Sequence, residues 1–325
     1  MKKQLWTGLA AFIGCVIFLL DSSAVIEGAR LGVELCVKTV IPSIFPFLFL
    51  SMLLTGNWMG VALPGLDWFG KLFHMPKGME SLLVCAFLGG YPVGAQSIAH
   101  SWKRKEIPKH SAERMLAYCN NAGPAFLFGM AGPMFSQGWT VWVLWGIHIL
   151  SAWMVSRLIH ETVSRTTVSQ PAAPALPEIL AQALHCMAMI CGWVIIFRCV
   201  IAFLDRWLLW LLPAPWRILA VGVLELSNGC CALYGQNQEE VRFLLASVML
   251  AFGGICVTMQ TMSATKGLSL RYYFMGKGLQ TIFSFLLSCG FILRQWYLLL
   301  FVPVFFLMVQ EKEEKKCSNP RKAVV

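Results

Sequence analysis

Apolar runs of about 15 to 25 residues, parted by short polar or basic stretches, fill the chain almost from end to end. They lie near 5–20, 35–55, 81–99, 115–132, 139–158, 179–204, 217–235, 241–262, 279–293 and 296–309. About 20 apolar residues in a helix match the ~30 Å hydrocarbon thickness of a bilayer. The pattern predicts an all-α fold, a polytopic transmembrane helical bundle. The stretch 207–212, with Trp207 and Trp210, is too short to span and ends at Pro213 and Pro215, which places it at the membrane surface.

Two runs are interrupted. Gly89-Gly90-Tyr91-Pro92 breaks the run 81–99, and Asn120-Asn121-Ala122-Gly123-Pro124 breaks 115–132. Proline removes a backbone donor and clashes with the preceding turn. Backbone groups freed in hydrocarbon cost several kcal/mol each unless the protein satisfies them. Such breaks therefore sit inside a bundle or line a polar cavity, where discontinuous helices form transporter sites. A simple packing kink is the alternative. The stretch 88–96 aligns with 252–260, where Gly89, Gly90, Val93 and Gln96 meet Gly253, Gly254, Val257 and Gln260. We therefore read two internal repeats containing broken or re-entrant helices: 1–163 (core about 35–158) and 179–310. A Ser/Thr/Pro/Ala-rich linker, 164–178, joins them, and a charged tail, 311–325, follows.

Composition narrows the picture. The chain is 58% hydrophobic and 13% charged, against about 25% charged in soluble domains, so it lacks the polar surface to cover a soluble body. Mean hydropathy is +0.67. The net charge of +10 resides in short loops and at the ends, as in membrane proteins that hold basic loops in the cytoplasm. This makes the lipid bilayer the partner and leaves no nucleic-acid surface. The twelve cysteines are scattered through apolar runs with no CxxC pair or zinc spacing. Met1-Lys2-Lys3 followed by 6–20 has no good cleavage site and reads as an uncleaved first helix with a cytoplasmic N-terminus. Orientation conflicts with the repeats as aligned. Loop 101–114 is basic, and an inverted second half would put loop 264–277, with Lys266, Arg271 and Lys277, on the other side.

Several motifs carry a resemblance. They are Val40-Ile41-Pro42-Ser43-Ile44-Phe45-Pro46-Phe47, Gly89-Gly90-Tyr91-Pro92-Val93-Gly94-Ala95, Asn120-Asn121-Ala122-Gly123-Pro124-Ala125-Phe126, Leu224-Glu225-Leu226-Ser227-Asn228-Gly229 and Phe252-Gly253-Gly254-Ile255-Cys256-Val257. In this order, over about residues 30–290, they resemble the YlbJ-type sporulation integral membrane proteins of the nucleoside-recognition, or Gate, domain group. Gly89 stands where that pattern has serine, and Ser227 where it has threonine. The resemblance implies a bacterial cytoplasmic or forespore membrane, a role in sporulation, and kinship with nucleoside transporters built on inverted repeats with helical hairpins.

The chemistry on offer is polar rather than catalytic. Glu225 is the carboxylate deepest in an apolar run, and intramembrane acids mark ion, proton or substrate paths. Asn228, Asn120, Asn121, Gln96 and Gln260 flank the breaks and offer amide donors and acceptors to a small polar, nucleoside-like solute. Each equally suits a helix cap or an interhelical bond. The structural breaks are Gly89, Gly90, Pro92, Gly123, Pro124, Gly253 and Gly254. His148 and His185 are isolated, and no HExxH, GxSxG or phosphate-binding glycine loop occurs. The expectation is therefore no enzyme, no cofactor and no metal. It is a transporter-like protein or, alternatively, a non-transporting scaffold with partners in a spore cortex or sporulation membrane complex.

Overall fold

A computed structural model describes residues 2–58, 65–75, 79–159 and 175–295. The run 296–309, the tail 311–325 and most of the linker lie outside the described residues. Every regular element among the described residues is helical. In chain order the α-helices are α1 (Lys2–Leu20), α2 (Ser22–Leu35), α3 (Ile41–Trp58), α4 (Asp67–Leu72), α5 (Glu80–Gly89), α6 (Val93–Lys103), α7 (Lys109–Met115), α8 (Pro124–Phe126), α9 (Thr140–Leu158), α10 (Leu176–Trp207), α11 (Ala214–Leu224), α12 (Leu226–Leu233), α13 (Glu239–Phe252), α14 (Gly254–Ala264) and α15 (Arg271–Ile292).

Among the described residues five helical stretches are long and apolar enough to cross a bilayer: Ser22–Trp58, Thr140–Leu158, Leu176–Trp207, Glu239–Ala264 and Arg271–Ile292. The first is longer than the run 35–55 suggested. α2 and α3 join through a wide turn at Cys36–Val40, where the Ile41 N–H reaches back to the Cys36 carbonyl. At 1.5 Å per residue the 37 residues extend about 55 Å. The polar start of this rod packs antiparallel on α10 through two glycines one turn apart. A β-carbon on Gly28 would lie 2.8 Å from Ala202 Cβ, and one on Gly32 3.0 Å from Ile195 Cα. In lipid there is no hydrophobic drive between helices, so small residues that let backbones approach supply the packing. Asp21 closes this end by capping the Ala24 N–H and accepting from Arg206 and Trp207.

Two apolar runs fold back on themselves: 81–99, whose break fitted a re-entrant reading, and 217–235, which read as one span. In 81–99, a β-carbon on Gly94 would sit 3.3 Å from Ala86 Cβ, so α5 and α6 lie side by side as a hairpin. Its tip, Gly90, has φ +70 and leaves no room for a side chain, since a β-carbon there would be 2.5 Å from the Gly123 nitrogen. In 217–235, a β-carbon on Gly229 would sit 2.3 Å from Gly222 Cα, so α11 and α12 form a second hairpin, turning at Glu225. Each arm is 8 to 11 residues, about 12 to 17 Å, and reaches only partway through the hydrocarbon. The run 115–132 is an irregular crossing: α7, an extended stretch through Asn120 to Gly123, α8, and a wide turn at Leu127–Ala131.

The two hairpins open toward opposite ends of the bundle. α6 leads to α7, and this end also holds the start of α15: Ser269 N–H donates to Glu113 at 2.8 Å, and Arg114 stacks over Tyr272 at 5.0 Å. The α12–α13 connection lies at the other end, where Ser136 bonds Glu239 and Trp139 meets Phe291. Taken in element order, each half runs long helix, hairpin, interrupted crossing, long helix. The order pairs the Gly90 tip with the Glu225 tip, whereas the sequence alignment paired it with Gly253-Gly254. Loops 101–114 and 264–270 lie together at one end of the bundle. Lys277 is not in that loop. It lies nearly two turns inside α15 and is 2% exposed.

Three helices, α9, α13 and α15, close the bundle through a run of serines. Ser284 donates to Ser151 at 3.0 Å, and Ser288 to Ser247 at 2.7 Å. Small hydroxyls allow close approach and bond across helices where no water competes.

Two predictions follow from this packing. Cysteines placed at Lys105 and Ser269 in sealed vesicles should react with an impermeant maleimide from one side, the cytoplasmic side by charge, and cysteines at Ser136 and Gln238 from the other; labelling of 105 and 269 from opposite sides refutes this topology. Gly94→Ala and Gly229→Ala should each lower the melting temperature in detergent, at a cost of about 1–3 kcal/mol. Gly146→Ala, with nothing within 4 Å of the added carbon, should leave it unchanged or raise it.

Candidate functional site

Three chain breaks, and the helix that follows a fourth, meet at one place. Gly90 and Tyr91 from the first hairpin, Gly123 from the interrupted crossing, Glu225 and Ser227 from the second hairpin, and Gln260 from α14 line a cavity of about 40 Å³. Ile44 of α3 and Ile190 and Val194 of α10 close its apolar side. Glycine permits the convergence. Gly254 has φ +85, and a β-carbon there would lie 3.1 Å from the Gly222 carbonyl of the facing hairpin.

Glu225 is 2% exposed. Its oxygens accept from the Ser227 N–H at 3.0 Å and from Asn228 N–H and Nδ2, each at 2.7 Å. It caps α12, an uncommon job for glutamate, and among the described residues it has no cationic partner. Insertion scales put a charged group at this depth at about 3 kcal/mol. Three charge-assisted bonds offset part of that. A carboxylate carries about four acceptor positions, so capacity remains for a donor in the cavity.

The other candidates divide. Gln260 lines the central cavity, with its Nε2 3.5 Å from Cys256 Sγ. Asn120 is fully buried and donates to Thr261 at 2.8 Å, while its Oδ1 has no partner. Asn121 donates to the Tyr118 carbonyl at 2.5 Å. Asn228 is turned toward Glu225 and also lines a larger outer cavity. Gln96 stands apart, on a separate open cavity with Met52, Gln182 and His185, and donates to Cys186 Sγ at 3.4 Å.

A second buried group went unseen in the sequence. Lys277 donates to Gln280 Oε1 at 3.0 Å and Asn121 Oδ1 at 3.4 Å, and lies 5.5 Å from the centre of the Tyr91 ring. No carboxylate pairs with it among the described residues. Gln280 donates to Asn121 Oδ1 at 2.9 Å, and His148 Nε2 accepts the Ala122 N–H at 3.1 Å. Tyr91 joins the two sites: its ring faces Lys277, it lines the cavity beside Glu225, and its hydroxyl donates to the Leu250 carbonyl at 2.6 Å. The only signal for Lys277 was a lysine at the edge of an apolar run, which reads as loop. Among the described residues no three His, Cys, Asp or Glu side chains are grouped to hold a metal ion.

The arrangement places an unpaired carboxylate and an unpaired ammonium on either side of Tyr91, in a multi-pass integral membrane protein. No family model and no solved structure matches the chain. A curated relative, the sporulation integral membrane protein YlbJ of Bacillus subtilis (strain 168), is 21% identical to it, over 79% of this chain and 75% of the relative. The chain is thus similar over most of its length to a YlbJ-type sporulation integral membrane protein, as its five ordered motifs indicated.

Proposed function

We propose that this protein moves a small polar solute across a membrane of a sporulating bacterium, the cytoplasmic or forespore membrane, by a transporter-like mechanism, and that it is not an enzyme. The observation that carries the reading is the convergence of three chain breaks and α14 on one cavity beside a buried carboxylate with no cationic partner among the described residues. Hairpins that open to opposite ends and cross at their tips suit alternating access: withdrawal of one tip exposes the site to one side. We read the halves as inverted repeats on this ground. The solute class is polar, with a nucleoside the choice implied by the family group. At about 40 Å³ the cavity holds no such solute as it stands, since small-molecule sites span about 300–1,000 Å³. On this reading a hairpin tip moves to enlarge the cavity for loading.

One observation favours a second reading. Most of the amides near the breaks are committed to protein partners, as a static scaffold in a spore cortex or sporulation complex would require. That reading expects no flux and a stable partner on mild detergent extraction.

Two experiments separate these. Liposomes holding the purified protein should take up or exchange radiolabelled uridine or adenosine, and Glu225→Gln and Asn120→Ala should each cut the rate at least about tenfold if these groups meet the solute; unchanged rates remove the site. Lys277→Met is the sharper variant. Replacing a buried unpaired charge by an apolar group is commonly neutral or stabilising, so the melting temperature should hold or rise while flux falls. A lowered melting temperature with flux retained would make Lys277 a structural prop.

A further inference from the structure

Between α10 and the second hairpin lies an open cavity of about 560 Å³, the size of an ordinary small-molecule site. It lies toward the end of the bundle opposite the basic loops. Its wall carries Arg198 and an Asp205–Arg217 ion pair at 2.8 Å; Asn228 and Cys231 of α12 also line it. Charged walls of this kind hold water rather than acyl chains.

The pair Asp205–Arg217 is internally neutral. Arg198 is different: it is half-buried, and among the described residues it makes no hydrogen bond or ion pair with another side chain. Glu27, a carboxylate on which the Arg198 charge acts, is already held by Arg30 at 2.7 Å, and Asp205 by Arg217. The cavity therefore carries one uncompensated positive charge on a planar five-donor group suited to oxyanions. Asn228, on the same wall, is bonded to Glu225, so a single side chain separates this cavity from the central one.

We propose that this outer cavity is a binding vestibule for a small anion, with Arg198 holding its phosphate or carboxylate group beside Asn228. The acidic group can belong to a soluble anion or to the headgroup of an anionic lipid. Binding at Arg198 stands without transport; only onward passage past Asn228 to Glu225 rests on the function proposed above.

Cys231 supplies a reporter, since it is exposed, lines the cavity, and is close enough for the Arg198 charge to act on its thiol. The full-length protein in phosphatidylcholine nanodiscs is treated with an anionic or a cationic methanethiosulfonate, and modification at Cys231 is read by peptide mass spectrometry. The anionic reagent should be favoured, relative to its ratio on a free thiol, by about tenfold. Arg198→Gln should abolish that preference and Arg198→Lys retain it. Inorganic phosphate should slow the modification if the anion is soluble. Phosphatidylglycerol in the nanodisc should slow it, without phosphate, if the anion is a headgroup. Either protection supports the vestibule. An unreactive Cys231, or one with no charge preference and no protection by either anion, overturns it. Loss of solute uptake with the labelling pattern intact would count against transport and leave the vestibule standing.

Discussion

Hydrocarbon offers no hydrogen bonds, so every backbone group that a broken helix leaves open must find a partner within the protein. That constraint organises this molecule. Glu225 caps the open N–H groups of α12, His148 takes the Ala122 N–H, and Asn121 donates to the Tyr118 carbonyl. The Tyr91 hydroxyl reaches the Leu250 carbonyl at the end of α13. Three of the breaks thus borrow a side chain, from beside themselves, from another break or, for Ala122, from the middle of α9.

The same convergence builds the site. Glu225 both caps α12 and faces the cavity, whereas Asn121 and His148 satisfy backbone groups without lining it. Lys277 is the exception, since no backbone group depends on it. Its cost is uncompensated by a carboxylate, and its ligands are two amide oxygens and an aromatic face. It is the buried charge that backbone satisfaction does not explain.

The outer part of the molecule follows a different rule. There α2 and α10 run past the thickness of the hydrocarbon, and charges reappear: Glu27, Arg30 and Glu34 on one helix, Arg198, Asp205 and Arg206 on the other. Glycine-mediated packing holds the two rods close enough for Asp21 to cap one and bind the other. The cavity beside them is lined by Arg198, Asp205 and Arg217.

The sequence by itself determined the solvent and the places where helices stop. Apolar run length reports bilayer thickness directly, and Gly90, Pro92, Gly123, Pro124, Gly253 and Gly254 mark breaks because their backbone demands are local. The tertiary structure decided which way the chain went after each break. A glycine-proline step gives the same signal whether the next helix continues or returns; only close facing surfaces, Ala86 on Gly94 and Gly222 on Gly229, make returning favourable. It also placed the turn at Glu225 where no proline announces it, and drew Lys277 out of an apparent loop into the core. These are long-range outcomes, set by which surfaces meet, and no local spacing encodes them.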